Sequence, residues 1–417
     1  MPLSEHRLWE ASPGSLTLFK WLGMACVVVA IVRLAQHSGP PRFLWSWQAG
    51  LFLFLYALVL LSYFSKAKTV QAWEMGPLAG WTSYVLLFFI TLVLVDTLPR
   101  LQWVLMVLVG SLAFASLYVI RQWQQFRQVI PEFRTWGGVS GDPNYFSASA
   151  LIGVALAFSL LSQRRPRWGR WFLLGCLTIT LAALTIAASR GGFVGLVGAF
   201  VVIAWRSRHR FLMFVLGTAV LALLFTIAPV APVERLIHPT PGDDAAAQNR
   251  KIAWQAGLRM IESAPWFGIG VGNYRASMEQ FETEDIKIES VAHNTYIEIG
   301  AELGLPALGI FLAILILGYR SLERTRRRAH EWEQPFLEHV AVGLQAALVG
   351  YAISMFFLSE EYQRHLWFLL SLSLCLPYVQ PGPSKPAPDV RDEAPQEEME
   401  DEVDDAYVEE WLAEDEG

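Results

Sequence analysis

The chain has 417 residues, of which 54% are hydrophobic and 17% charged. That balance excludes a soluble globular domain and points to a polytopic membrane protein. The formal charge of −6 is unevenly spread: residues 381–417 hold 15 acidic residues against Lys385 and Arg391, which leaves +7 on the remainder, a basic body suited to anionic lipid headgroups.

A spanning helix needs about 20 mostly apolar residues. Such runs first appear at 16–36, 43–63, 77–96 and 101–120, an N-terminal group of transmembrane helices within 1–140. The first run lacks a strongly basic leader and a small-residue cleavage site, so it reads as a retained span. Runs at 143–162, 169–187, 191–206 and 210–230 follow. A polar break over 231–295 precedes the last runs, at 296–318, 336–358 and 365–379. The pattern predicts an all-α, polytopic helical bundle of about eleven transmembrane helices (10–12), with one large loop that contains short amphipathic helices. The expected organisation is 1–140, a core at 141–320, C-terminal spans at 321–380 and a tail at 381–417. Seventeen Trp and twelve Tyr fit aromatic belts at the two interfaces. Cys26, Cys176 and Cys375 all lie in apolar runs, so neither a disulfide framework nor a zinc site is implied. No metal or other cofactor is expected, and no nucleic-acid partner.

Basic residues in short loops set the orientation. Arg164, Arg165, Arg167 and Arg170 crowd one loop, Arg206, Arg208 and Arg210 a second, and Arg320, Arg324, Arg326, Arg327 and Arg328 a third. Alternation puts all three on one side, read as the cytoplasm. Arg190, the 231–295 loop and the turn Ser359-Glu360-Glu361-Tyr362 then face the extracytoplasmic side. Lys66, Lys68, Arg121, Arg127 and Arg134 run against this scheme. The tail is Pro-rich and then acidic, which predicts a disordered cytoplasmic segment. Its stretch Tyr407–Leu412 is a candidate contact for a cytoplasmic partner.

Chemistry concentrates at the extracytoplasmic boundary. Arg190 stands between two apolar runs, where a charge needs a partner and an anionic ligand is a candidate. An arginine there also snorkels to headgroups. Residues 249–261 read as an amphipathic helix with Trp254, Leu258 and Ile261 on one face and Arg250 near its start, where helix N–H groups favour anions. Arg250 can equally pair with Asp243 or Asp244. Gly268, Gly270 and Gly272 alternate, which indicates tight turning or close approach to a ligand. Tyr274, Met278 and Phe281 form a second stripe suited to the membrane surface. His293 closes the loop at the mouth of a helix, where it can exchange a proton near neutral pH or serve as an ordinary surface residue. Glu298 and Glu302 share a face of that helix, which Gly304-Leu305-Pro306 then interrupts, and basic residues of a neighbouring helix are candidate partners for the two acids.

Five short motifs in order resemble the O-antigen ligase and polymerase-like family. They are Gly141-Asp142-Pro143-Asn144, Ala188-Ser189-Arg190-Gly191-Gly192, Arg250 with Trp254, Pro265 through Tyr274, and His293-Asn294-Thr295-Tyr296 with Glu302-Leu303-Gly304. The resemblance covers roughly residues 140–320. It implies a GT-C-like bundle and a metal-independent, inverting membrane glycosyltransferase. It also implies a polyprenyl (undecaprenyl) diphosphate-linked glycan as donor, and a glycan, lipid or protein hydroxyl as acceptor. By the same resemblance Arg190 and Arg250 hold the diphosphate and His293 takes part in catalysis. Asp142, Asn144, Asn294 and Glu302 are candidates for supporting roles. The implied place is the outer face of the bacterial cytoplasmic membrane, in cell-surface polysaccharide (lipopolysaccharide) biosynthesis. A ligase-like activity is the first expectation, a polymerase of the same family the second, and a lipid-linked glycan flippase the third. A scaffold role for the acidic tail is compatible with any of them.

Overall fold

The computed structural model describes residues 18–36, 46–66, 76–129, 135–163, 166–207, 241–282, 290–359 and 361–379, with scattered positions between 210 and 218. The acidic tail and most of the expected span at 210–230 lie outside the described residues. All regular elements among those described are helical. In chain order they are α1 (Leu18–Gln36), α2 (Trp47–Lys66), α3 (Gly76–Leu94), α4 (Leu98–Phe126), α5 (Pro143–Leu161), α6 (Arg167–Ala187), α7 (Arg190–Arg206), α8 (Pro241–Ser263), α9 (Tyr274–Phe281), α10 (Thr295–Leu303), α11 (Leu305–Glu331), α12 (Pro335–Ser354) and α13 (Arg364–Cys375).

Among the described residues seven helices are long and apolar enough to cross a membrane: α2 to α6, α11 and α12. The protein is therefore an all-α, multi-pass membrane protein. The apolar stretch of α1 is shorter, and α7 and α13, at 17 and 12 residues, fall below the length of a full span. The apolar run at 296–318 is divided at the expected Gly304-Leu305-Pro306 interruption into two helices. Gly304, at φ 86°, separates nine-residue α10 from α11, and Pro306 in the first turn of α11 cannot continue a helix from α10. Helix starts follow local chemistry. Proline occupies the first turn of α4, α5, α11 and α12, where its missing N–H would have no intrahelical partner.

The centre of the bundle is built from α5 and α12, whose spans are 78% and 67% buried. Lipid gives helices no hydrophobic reason to associate, so close van der Waals packing between small residues must hold them together. A Cβ on Gly195 of α7 would lie 2.6 Å from the carbonyl oxygen of Gly350 in α12, and one on Gly350 would lie 2.6 Å from that of Gly195. The two backbones meet there because neither residue has a side chain.

Helices α8, α9 and α10 share a separate small core of Ile252, Ala253, Ala256, Met260, Tyr274, Met278, Ala292 and Ala301. This corrects two sequence expectations. The buried face of α8 is the Ile252, Ala253, Ala256, Met260 stripe, while Leu258 is 51% exposed. The stripe of Tyr274 and Met278 in α9 is packed against α8 rather than left on a surface. Of the expected stripe, Ile261 packs against this core and Trp254 donates its indole N–H to the Ala292 carbonyl at 2.9 Å, so Leu258 alone departs from it.

Candidate functional site

The starts of α5 and α7 and one side of α8 enclose a cavity of about 110 Å³. Asn144, Ser189, Arg190, Arg250 and Leu358 are among its lining residues. Asp142 caps α5 by accepting from the backbone N–H groups of Asn144 at 2.6 Å and Tyr145 at 3.3 Å. Ser189 caps α7, its hydroxyl oxygen accepting from the N–H of Gly192 at 3.2 Å. The positive dipole ends of α5 and α7 thus lie at the cavity beside two arginines, with the N–H groups of Asn144, Tyr145 and Gly192 already taken by the caps. Arg190, the first residue of α7, is exposed, and Arg250 is half-buried. Arg250 is not near the start of its helix as expected. Helix α8 begins nine residues earlier, at Pro241, so Arg250 contributes its guanidinium and the end of α8 is not its setting.

His293 is not among the residues that line the cavity, but Arg250 and Asp142 act on its charge. Burial holds its pKa below the ordinary histidine value, Arg250 lowers it further, and Asp142 opposes them. The neutral imidazole is thereby favoured near neutral pH, the form that accepts a proton. Its Nδ1 is buried and has no hydrogen-bond partner among the described residues. Its backbone lies in the left-handed region at φ 49°, as does that of Ala188 at φ 47° in the cavity wall. Side chains held in that region cost about 1–3 kcal/mol each and tend to gather at functional sites.

The remaining residues singled out from sequence separate by task. Asn294 is buried and caps α10, accepting from the N–H groups of Tyr296 at 3.0 Å and Ile297 at 3.2 Å. Glu302 is not among the residues lining the cavity. Its carboxylate accepts from the N–H of Tyr274 at 3.1 Å and from the Tyr362 hydroxyl. Glu298 accepts from the N–H of Ala292 at 3.2 Å and from the Ser359 hydroxyl, so neither acid pairs with a basic residue in these contacts.

The glycine run makes a structural contact. Ile269 and Gly270 donate their N–H groups to the carbonyls of Ala301 at 2.8 Å and Glu302 at 3.0 Å. Gly268 has φ 64°, and a Cβ there would lie 2.3 Å from the carbonyl carbon of Glu302. Val271 continues the attachment with an N–H bond to the Ser62 hydroxyl of α2 at 3.0 Å.

Sequence reasoning missed the second half of this frame. Leu358, a cavity residue, offers its carbonyl to both the N–H and the hydroxyl of Thr295, at 2.8 and 2.6 Å. Ser359, Glu361 and Tyr362 follow it, all in contact with the acids of α10. Two acids with Ser and Tyr in a turn between apolar runs were the available signal.

The arrangement defines a class: a multi-pass helical membrane protein with a basic, anion-suited cavity, a nearby neutral-leaning histidine, and helix N-termini aimed at the same place. Residues 174–312 match the family described as O-antigen ligase, and over that segment the chain is O-antigen ligase-like. The matched segment contains Arg190, Arg250, His293, Asn294 and Glu302, while Asp142 and Asn144 precede it. A search of curated proteins gave no match.

Proposed function

We propose that this protein transfers a glycan from a polyprenyl diphosphate carrier to an acceptor hydroxyl, in the manner of a ligase, at the outer face of the bacterial cytoplasmic membrane. The single observation that carries the reading is the meeting of Arg190 and Arg250, distant in sequence, on one small cavity with His293 electrostatically linked to Arg250. The family likeness over 174–312 gives that meeting its chemical sense.

In the proposed reaction the acceptor oxygen attacks the anomeric carbon from the face opposite the carrier. The bond from that carbon to the diphosphate oxygen breaks, and polyprenyl diphosphate leaves with the bonding electrons. Configuration inverts in this single displacement. The negative charge gathers on the diphosphate, where guanidinium groups form charge-assisted, two-pronged hydrogen bonds and helix N–H groups add donors. His293 takes the acceptor proton as the new bond forms. No step calls on a metal, because the cationic groups act on the leaving oxygens directly. Asp142 supports the histidine electrostatically while it caps α5.

Expression of Arg190→Ala and His293→Ala in a deletion strain tests the reading, with surface glycan and carrier-linked intermediates as readouts. Loss of ligation leaves finished polymer on the carrier. Single repeat units on the carrier identify a polymerase instead, and intermediates trapped on the cytoplasmic side identify a flippase. Unchanged surface glycan from folded variants removes these residues from the site.

A further inference from the structure

Next to the His293 segment lie three carboxyl groups withdrawn from solvent. Glu298, Glu302 and Glu361 are 2%, 3% and 1% exposed. None of them takes part in an ion pair among the described residues. Nor do they form a grouping able to hold a metal ion. Glu298 and Glu302 are each met by two donors. Glu361 differs: both of its side-chain oxygens are buried and neither meets a donor among the described residues. Its carboxyl group faces that of Glu298 within hydrogen-bonding range. Two carboxylates in such contact repel, and a buried charge without a donor is expensive. One proton between them removes both penalties.

We propose that Glu361 is a neutral carboxylic acid donating to the Glu298 carboxylate, and that this pair is the latch that fixes His293 beside the basic cavity. The latch rests on the glycan-transfer reading for its purpose. Its mechanical connection is on either side of Glu298. One oxygen of that carboxylate accepts from the N–H of Ala292, the residue before His293, and from the hydroxyl of Ser359, the residue after cavity-lining Leu358. The Leu358 carbonyl in turn holds Thr295 twice. The backbone around His293, itself in the left-handed region, is therefore clamped from both flanks. Glu361 is not among the residues lining the cavity, so it is a positioning residue.

The titratable groups around Glu361 are Glu298 and Glu302 from α10, Tyr362 from its own turn and Tyr274 from α9, with Arg364 following at the start of α13. Burial raises the Glu361 pKa above the ordinary carboxylic range and the two acids raise it further. The folded state therefore keeps a proton that the unfolded state releases near 4.5. By linkage, the latch contributes its full stability below that value and loses it as pH rises through the folded value.

The test uses the full chain in lipid nanodiscs, with Glu361→Gln and Glu361→Ala. Glutamine keeps a donor for Glu298 and cannot titrate. The expected result is near wild-type transfer for Glu361→Gln, with the alkaline decline in melting temperature and kcat shallower than in the wild type, the remainder coming from Glu302, whose pKa burial pushes up to about 8, and from Glu298. Glu361→Ala is expected to lose about 10²-fold in kcat with KM for the donor little changed. The proposal is overturned if Glu361→Gln is as impaired as Glu361→Ala, or if its melting temperature falls with pH as the wild type's does. The latter comparison stands even where the alanine variant fails to fold. Binding of polyprenyl diphosphate to wild type and to Arg190→Ala separates the two readings. Equal binding removes the diphosphate site, while the pH dependence of melting still decides the latch.

Discussion

Arg190 and Arg250 are left in reach of solvent at an open cavity, while Glu298, Glu302 and Glu361 are buried. Arginine stays charged at any working pH, so a cavity lined by two of them favours an anion. Carboxyl groups can share protons, so a buried cluster of them carries fewer charges than its number of acids. The difference teaches how one short helix, α10, serves both regions. Its N-terminal side adjoins His293, on which Arg250 acts, and its body is anchored by acids that are met by hydrogen-bond donors.

The strongest way to break this comparison is His293→Ala. In the proposed role of general base, His293 is expected to account for about 10²–10⁴-fold in kcat. A folded variant with full single-turnover transfer would leave the histidine without that role. Arg190→Ala or Arg250→Ala should cost about 10²–10³-fold, as loss of one preorganised charge-stabilising group does. Salt should not rescue either one, because a screened ion cannot replace a two-pronged guanidinium. Measured kcat/KM against pH sharpens the picture further. The wild-type acid limb should fall below the ordinary histidine value of 6.5, because burial and Arg250 favour the neutral ring. Arg250→Ala should move that limb to higher pH, and Asp142→Asn, which removes the opposing charge, to lower pH. Opposite movements would place His293 outside their influence. In the acidic region, Tyr362→Phe removes the hydroxyl donor to Glu302 and should destabilise the protein by about 1–3 kcal/mol, with the donor KM unchanged. Thermal melting in nanodiscs reads the first effect and steady-state kinetics the second. The smallest effect is expected from Asn294→Ala, about 1 kcal/mol from the lost cap of α10. A rate loss far beyond that stability change would move Asn294 from capping into the reaction.

Much of the helical architecture could be read from hydropathy, because a span must satisfy its backbone internally and advertises itself as a long apolar run. Hydropathy alone runs on through 296–318, but Gly304 and Pro306 mark the interruption in the sequence, and the positive φ at Gly304 divides the run into two helices. Arg190, Arg250 and His293 stood out because each breaks an apolar or loop pattern and because their motifs come in a familiar order. Their meeting in space was beyond periodicity, which relates only residues on one element. For the same reason Glu361 read as part of a polar turn. Nothing in its own neighbourhood of sequence reveals that Glu298, far back in the chain, lies against it. Asn294 and Asp142 stood out in the sequence and are helix caps in the structure, since a capping oxygen and a catalytic one look alike until the backbone N–H groups around them are known.

The glycine loop has one more consequence. At Gly268 two conditions coincide: a positive φ, and a neighbouring carbonyl carbon that fills the space any Cβ would need. Relaxing the dihedral would not clear the space, and clearing the space would not relax the dihedral. The amino-acid alphabet at that position has therefore shrunk to one letter, and a variant library across the loop should return it almost unaltered while its neighbours Trp266 and Phe267, which point outward, drift freely.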